Sequence, residues 1–592
     1  MPKNPRATSL RKSLSTVVPY LKRYRMAIFL GMGALALKDV LGAWMPLIIR
    51  DGVDSLTRGF QASVLYKLAG LLIGASILKG FFQYWMRVIL IGVSRDIEFD
   101  LRNDLFAKLV DLSPDFYGKY RTGDLMARST NDLNAVRMML GPGIMYWTET
   151  ALTLVFAIGI MLTVDWRLTL MALLPAPFVS VAVIFFGQRI HKLFEHIQRV
   201  FSDISSRVQE NLAGVRVVRA YAQERAEVAH FEALNLEYVK ENIGLAKIQG
   251  VFMPLLQALI GVTFLMVLWA GGQQLLLHKI SLGSFVMFNT FMGVLIWPMI
   301  AMGWVVNLIQ RGTASLNRIN EILHETPSIA APSDPLEVEK FSAGIRFRDV
   351  SVRFGDRVAL NDINLDIIEG ETIAIVGHTG CGKTTLVNLI PRFFDPDGGA
   401  VELGSVGASA ILSRFDPQAL RRQIGFVPQE TFLFSATLAQ NIAWGVPNAD
   451  RGQIEWAADI AGLSSDIAGF PAGLDTVIGE RGLTLSGGQK QRTAIARAVL
   501  RNPRILVLDD ALSSVDTLTE EKILTGLSSV MRDRTTILIS HRVSTVRHAH
   551  RIIVLSHGRI VEQGSHDELL GARGYYAELY EKQLLEEELE LI

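Results

Sequence analysis

The chain has 592 residues, 49% of them hydrophobic, with a formal net charge of +1 and a mean hydropathy of +0.29. That length points to several domains, and the positive hydropathy is foreign to most soluble proteins. The near-zero charge supplies no bulk attraction for nucleic acid, and the single cysteine, Cys381, excludes an internal disulfide and a multi-cysteine metal site.

The first 25 residues carry Lys3, Arg6, Arg11, Lys12, Lys22, Arg23 and Arg25 and no acid. This stretch is too long and too charged for a cleavable leader, and it runs into a full-length apolar span. The positive-inside rule predicts that it stays cytoplasmic. Roughly 20 apolar residues cross a bilayer. Six such spans are expected, at Met26–Ile49, Leu65–Ile91, Gly141–Thr163, Leu168–Phe186, Val251–Gly271 and Leu282–Leu308. An even number returns the chain to its starting side, so everything after Leu308 is expected to share the cytoplasm with the N-terminus.

Short connections join spans one and two, three and four, and five and six, whereas Ser94–Leu140 and Gln188–Gln249 are long, charged and rich in helix formers. A 30-residue helix reaches about 45 Å, so both segments are expected to project into the cytoplasm as helical hairpins. Each is broken near its middle: Ser113-Pro114 lies in Leu112–Gly123, and Gly214 precedes Val215–Tyr221. Inside the spans, Lys38, Asp39, Lys79 and Glu149 stand where ionised groups are expensive. Either they pair structurally within the bundle or they line a cavity, with Gln83, Gln257, Asn289, Trp304 and Asn307 adding polar and aromatic contacts. Such a mixed lining suits a small amphipathic organic molecule.

Glu325–Gly344 carries Pro327, Pro332 and Pro335 among Ser and Ala, the composition of a linker. The resulting division is residues 1–25 as a basic segment, 26–324 as a membrane domain, 325–344 as a linker, 345–580 as an α/β domain and 581–592 as an acidic tail. In the α/β part, Thr372–Val376 reads as a strand feeding Gly377-His378-Thr379-Gly380-Cys381-Gly382-Lys383-Thr384, with a helix opening at Thr385. This is the phosphate-cradling pattern G-x-x-x-x-G-K-[ST] in its strand–loop–helix context. Backbone amides and Lys383 are expected on the phosphates of ATP, and the Thr384 hydroxyl on Mg²⁺. Ile505–Asp510 is an apolar strand ending in two acids, of which Asp509 suits the Mg²⁺ site.

Between these strings lies Leu485-Ser486-Gly487-Gly488-Gln489. The three in this order resemble the ATP-binding cassette (ABC) proteins, and the likeness extends over nearly the whole chain. It implies an all-α six-helix transmembrane domain with long cytoplasmic helical extensions, followed by an α/β P-loop NTPase domain of ABC type, in the bacterial inner membrane with both termini cytoplasmic. By the same resemblance Gln429 matches the glutamine that senses the metal, His541 the switch histidine on the γ-phosphate, and Phe354 the ring that stacks on adenine. Ser486, Gly487, Gly488 and Gln489 would cap the phosphate held by the opposite subunit, and Asp516 would face that subunit. Thr476–Gly482, with Glu480 and Arg481, resembles the exporter-type stretch near the coupling helices. The breaks at Leu112–Gly123 and Gly214, with Arg121-Thr122-Gly123-Asp124, resemble those coupling helices.

One position departs from the family. Asp510 stands where Glu normally orients the attacking water, and its side chain is shorter by about 1.5 Å, one C–C bond. The resemblance is then to the weakened half of a heterodimeric multidrug-resistance-like exporter, with a second half-transporter as partner, a small amphipathic substrate and surrounding lipid. A homodimeric lipid flippase and a mainly regulatory nucleotide-binding half stay open. Cys381 either carries a reactive thiolate beside Lys383 or fills a small-residue slot.

Overall fold

The computed structural model describes residues 14–59, 62–479 and 485–590. It divides into two compact units: residues up to Val110 with Arg121–Glu325, and Asp111–Tyr120 with the chain from Thr326 onward.

The first unit is all α. Its long helices are α1 (Arg25–Arg58), α2 (Ala62–Asp111), α3 (Thr122–Val164), α4 (Trp166–Ala213), α5 (Glu224–Leu276) and α6 (Leu282–Leu323). All six are long and apolar enough to cross a membrane. At 50 and 53 residues, α2 and α5 reach about 75–80 Å at 1.5 Å per residue, far beyond a hydrocarbon core of about 30 Å. The extensions expected from sequence are therefore continuous with the spans. Large apolar side chains such as Phe29, Tyr66, Phe81 and Trp269 are exposed, as a lipid-facing surface requires. The interior is closed by Ala157, Leu168, Val267 and Phe288 from α3, α4, α5 and α6.

Two sequence expectations shift. The fourth span is not one apolar helix: a turn at Leu174-Pro175 splits α4 into Trp166–Leu173 and Ala176–Ala213, because proline cannot supply the amide that would continue the ladder. The run Arg121–Asp124 opens α3 instead of forming a coupling helix, and the short helix of the first break is Pro114–Lys119. That helix groups with the second unit, where Ser113 Oγ accepts from Ile329 N at 3.1 Å. The second break yields Val215–Ala220, which has no buried residue.

α3 contains two π-turns, Arg128–Asp132 and Met139–Gly143, the second around Pro142. The first delivers Arg128 and Asp132 to the end of α6. Arg128 donates to Glu321 at 2.8 Å and to the Arg318 carbonyl at 2.9 Å, while Asp132 accepts from Arg318 and Ser315.

The second unit holds two sheets. A four-stranded antiparallel sheet has the order β2-β1-β4-β5, from β1 (Ile345–Phe354), β2 (Arg357–Ile367), β4 (Gly398–Ser405) and β5 (Ala408–Ile411). The six-stranded sheet has the order β10-β9-β3-β8-β7-β6, from β3 (Thr372–Val376), β6 (Ile424–Val427), β7 (Ile505–Asp509), β8 (Thr535–Ile539), β9 (Arg551–Ser556) and β10 (Arg559–Gly564). All pairs in it are parallel except β9–β10. Its central strands are buried on both faces: Ile505 and Val507 of β7 enter one core, Leu506 and Leu508 the other. That explains their unbroken apolar runs. The proline-bearing stretch before β1 is held against this unit, Leu336 N donating to the Arg414 carbonyl at 2.9 Å.

Candidate functional site

A parallel sheet delivers the ends of its strands, with the loops that follow, to one edge, and ligands bind at that edge. Here the edge collects Gly377 after β3, Gln429 after β6, Asp509 and Asp510 at and after β7, and His541 after β8. The register fixes their levels, with Val427 opposite Leu508 and Asp509 opposite Ile539.

The loop after β3 can exist only because of its glycines. Gly377 has φ +149°, and a Cβ there would lie 2.1 Å from the Leu555 carbonyl oxygen. The loop therefore packs onto β9 while His378, Thr379 and Gly380 stay exposed. Lys383 opens the helix α7 (Lys383–Asn388) and is only 6% exposed. Its ammonium folds back, donating to the Gly377 carbonyl at 2.7 Å and the His378 carbonyl at 3.0 Å. These are neutral acceptors, so the charge is held at the loop without a hydrogen-bonded carboxylate. Thr384 Oγ1 donates to Asp509 Oδ1 at 3.3 Å, and Thr385 follows, half-buried, in α7.

Asp509 is 2% exposed. Burial raises its pKa, and the charge of Asp510 adds to that; Thr384 and Lys383 oppose it. A buried carboxylate beside a hydroxyl, strained by a neighbouring acid, is the kind of oxygen pair that a hard divalent cation relieves. His541 is exposed as a residue. Partial desolvation of its ring, with the Lys383 ammonium, holds its pKa below the ordinary histidine value, while Asp510 pulls the other way. The net direction favours the neutral imidazole.

Asp510 has φ +50°. Its amide donates to the Ile539 carbonyl at 3.0 Å, and its carbonyl accepts from Ser513 Oγ at 3.0 Å. The backbone that carries the second acid is thus fixed from β8 and from its own turn.

Ser486 caps the helix α8 (Gly487–Leu500) through a reciprocal box: its hydroxyl accepts from Gln489 N at 3.3 Å, and Gln489 Oε1 accepts from Ser486 N at 2.9 Å. Gln489 also donates to Asp466 at 2.8 Å. Among the described residues, no hydrogen bond runs from Ser486 or Gln489 to Gly377–Thr384. Ser486 and Gly487 at the start of α8 are exposed, as an anion site at a helix N-terminus needs. Gly488 is required by a close approach, since a Cβ there would stand 2.9 Å from the Ser514 carbonyl. Asp516 caps α9 (Thr517–Met531), accepting from Thr519 N at 2.9 Å, and these amide bonds lower its pKa. Phe354, at the end of β1, is exposed and meets Phe394 edge-to-face at 5.7 Å. Gln429 is exposed. Of Thr476–Gly482, Glu480, Arg481 and Gly482 lie outside the described residues.

The residues 28–299 match the ABC transporter transmembrane region family, and 360–513 match the ABC transporter domain family. The chain is 37% identical to a probable multidrug resistance ABC transporter ATP-binding/permease protein YheI of Bacillus subtilis over 574 residues, 96% of each chain. The chain belongs to the ABC transporters. It is also 35% identical to the multidrug resistance-like ATP-binding protein MdlA of Escherichia coli, covering 96% of this chain and 95% of that one. It is 33% identical to an ATP-dependent lipid A-core flippase of Syntrophus aciditrophicus, covering 99% and 96%. Its structure matches a bacterial Atm1-family ABC exporter with ATP bound at a TM-score of 0.78 and 29% identity, over 95% of this chain and 99% of that one. This transporter is a multi-pass membrane protein with a helical membrane domain fused to its cassette.

One cassette residue escaped the sequence reading. Gln491, one turn into α8 and buried, donates to Ser513 Oγ at 2.9 Å and accepts from Ser514 N at 2.9 Å. It ties the signature helix to the loop after Asp510, and only a glutamine spaced on the inner face of α8 hinted at it. Cys381 is buried in the core beneath the loop, which favours the small-residue slot over a reactive thiolate.

Within the membrane unit, Lys38 is 4% exposed and bridges two acids, Asp39 Oδ1 at 2.9 Å and Glu149 Oε1 at 2.5 Å. Removing one member of such a cluster strands the others. Lys38→Ala is expected to lower stability by about 3–5 kcal/mol, with loss of folded protein in detergent. The triple neutral variant Lys38→Met, Asp39→Asn, Glu149→Gln should recover most of it. Thermal unfolding of both in detergent checks this, and a Lys38→Ala protein as stable as the wild type would show that the pairing carries no structural weight.

Proposed function

We propose that this chain is one half of an ATP-driven exporter of an amphipathic compound in a bacterial cytoplasmic membrane, with a different half-transporter as its partner. The observation that carries the reading is Asp510: a short carboxylate on a backbone pinned at 3.0 Å to the Ile539 carbonyl, where the family's longer acid orients water. The likeness to multidrug and lipid-flippase proteins supports an amphipathic cargo.

Lys383 and the loop amides would hold the β- and γ-phosphates, and Thr384, Asp509 and Gln429 would hold Mg²⁺. Bound there, Mg²⁺ would neutralise phosphate charge and fix the phosphate geometry. For this chain's own residues, the roles divide by position. Lys383 orients the phosphates from one side. His541, neutral, can donate from one ring nitrogen to the γ-phosphate. Asp510 accepts the proton of the water, but from too far away for efficient attack. Ser486 and Gly487 at the exposed start of α8 would serve a nucleotide held by a second cassette. Two ATP-filled cassettes closing head to tail would drive the membrane helices from inward- to outward-facing, and hydrolysis would reset them. The helix Val215–Ala220 and its C-cap Tyr221 fit such a dimer: Val217 and Tyr221 are 61% and 73% exposed beside exposed Arg216 and Arg219, a mixed apolar and basic end that a partner cassette would meet.

The test is the mass and MgATP turnover of the purified chain alone and with candidate second halves. A monomeric or inert chain that becomes active with a different half supports the proposal. A brisk homodimer overturns the heterodimeric part and favours the lipid-flippase arrangement.

A further inference from the structure

The loop that carries His541 is held from two sides. On one side Arg542 and Thr545 both donate to the carboxylate of Glu520, which is buried in α9, and Arg542 also donates to the Val515 carbonyl at 2.8 Å. On the other stands the helix α10 (Tyr575–Glu590). Gln583 of α10 donates through Nε2 to the His541 carbonyl and accepts through Oε1 from Val543 N at 2.8 Å. Val543 begins a short helix, Val543–Val546, that has no side-chain cap of its own. Its first amide would be an orphan donor, and the glutamine supplies the missing acceptor from outside.

A single amide therefore clamps the two main-chain groups that flank the Arg542 peptide. His541 cannot swing its side chain through a backbone rotation without breaking one of them. The clamp stands on a rigid base. Tyr576 is fully buried against Val376 of β3 and Val554 of β9, its hydroxyl is 2.8 Å from His566 Nδ1, and Tyr575 N and Tyr576 N both donate to Glu562. Tyr575 also meets His378 of the phosphate loop edge-to-face at 5.3 Å. One helix thus touches both phosphate-facing loops, and a polar cavity of about 170 Å³ lies between them, lined in part by Thr379, His541 and Gln583.

We propose that Gln583 is a positioning residue for nucleotide recognition: it sets the main chain of His541 so that the imidazole meets the γ-phosphate. This rests on His541 being the γ-phosphate contact. The full-length chain is tested as wild type, His541→Ala, Gln583→Ala and Gln583→Glu. The last variant keeps the acceptor for Val543 N but sets a carboxylate against the His541 carbonyl. Dissociation constants are measured for ADP and for the non-hydrolysable analogue AMP-PNP, so no turnover is needed. Losing one hydrogen bond's net worth, about 0.5–1.5 kcal/mol, should narrow the preference for AMP-PNP over ADP about two- to tenfold in both Gln583 variants, with ADP affinity unchanged. Weakening of ADP and AMP-PNP in parallel would make Gln583 merely structural and overturn the proposal. A preference narrowed by His541→Ala and untouched by either Gln583 variant would overturn the positioning role alone. A preference unmoved by His541→Ala would overturn the histidine assignment and the proposal with it.

Discussion

Replacing Lys383 by methionine is expected to weaken AMP-PNP binding about 100-fold or more while leaving the cassette folded. Lys383 is 6% exposed, and its ammonium donates to the neutral carbonyls of Gly377 and His378 and, at 3.9 Å, to Cys381 Sγ, so its charge is available to a phosphate at little rearrangement. Hydrogen bonds involving a charged group contribute about 1.5–3 kcal/mol each, and every 1.4 kcal/mol is about tenfold in affinity. Two such bonds to phosphate oxygens reach the expected loss. Methionine keeps the aliphatic stem and nearly the same volume, so the core beneath the loop should hold. Calorimetric titration with AMP-PNP, beside thermal unfolding of the same variant, checks both halves. Affinity close to wild type would remove Lys383 from the phosphate site.

Asp510→Glu is expected to raise MgATP turnover at this chain's own site by roughly 10- to 100-fold, because a misplacement on the order of 1 Å can cost about 100-fold. The backbone cannot make up the missing length. Asp510 N is bonded to the Ile539 carbonyl, and its carbonyl accepts from Ser513 and, at 3.4 Å, from Gln491. There is a countercurrent. At φ +50° aspartate is among the better-tolerated residues outside glycine, so glutamate should slightly lower the stability of the loop. The variant is measured for turnover and unfolding, alone and with a second half-transporter. A turnover unchanged by the added methylene would mean that Asp510 already reaches its water, and the weakened-site reading would fall.

The apolar spans, the phosphate loop and the two acids after an apolar strand were legible in the sequence because each is a local pattern. Twenty apolar residues have few alternatives to crossing a bilayer, and Gly377, Gly380 and Gly382 sit where φ is positive. The break at Leu174-Pro175 was hidden inside an apolar run, since hydropathy does not register a missing amide. The first π-turn of α3 was equally invisible, for it lies where α3 packs Arg128 and Asp132 against α6.

By itself, then, the sequence determined that this is a transporter with a membrane domain and one cassette, and it nominated the side chains proposed to handle phosphate. Motif spacing and hydrophobic length are properties of neighbours along the chain. Only the tertiary structure decided how those side chains are held: Lys383 folded onto its own loop, Gln491 joining α8 to the turn after Asp510, and Gln583 reaching the His541 carbonyl across 42 residues. The two glutamine contacts join segments 23 and 42 residues apart in sequence, and no local pattern encodes which glutamine will meet which main-chain group.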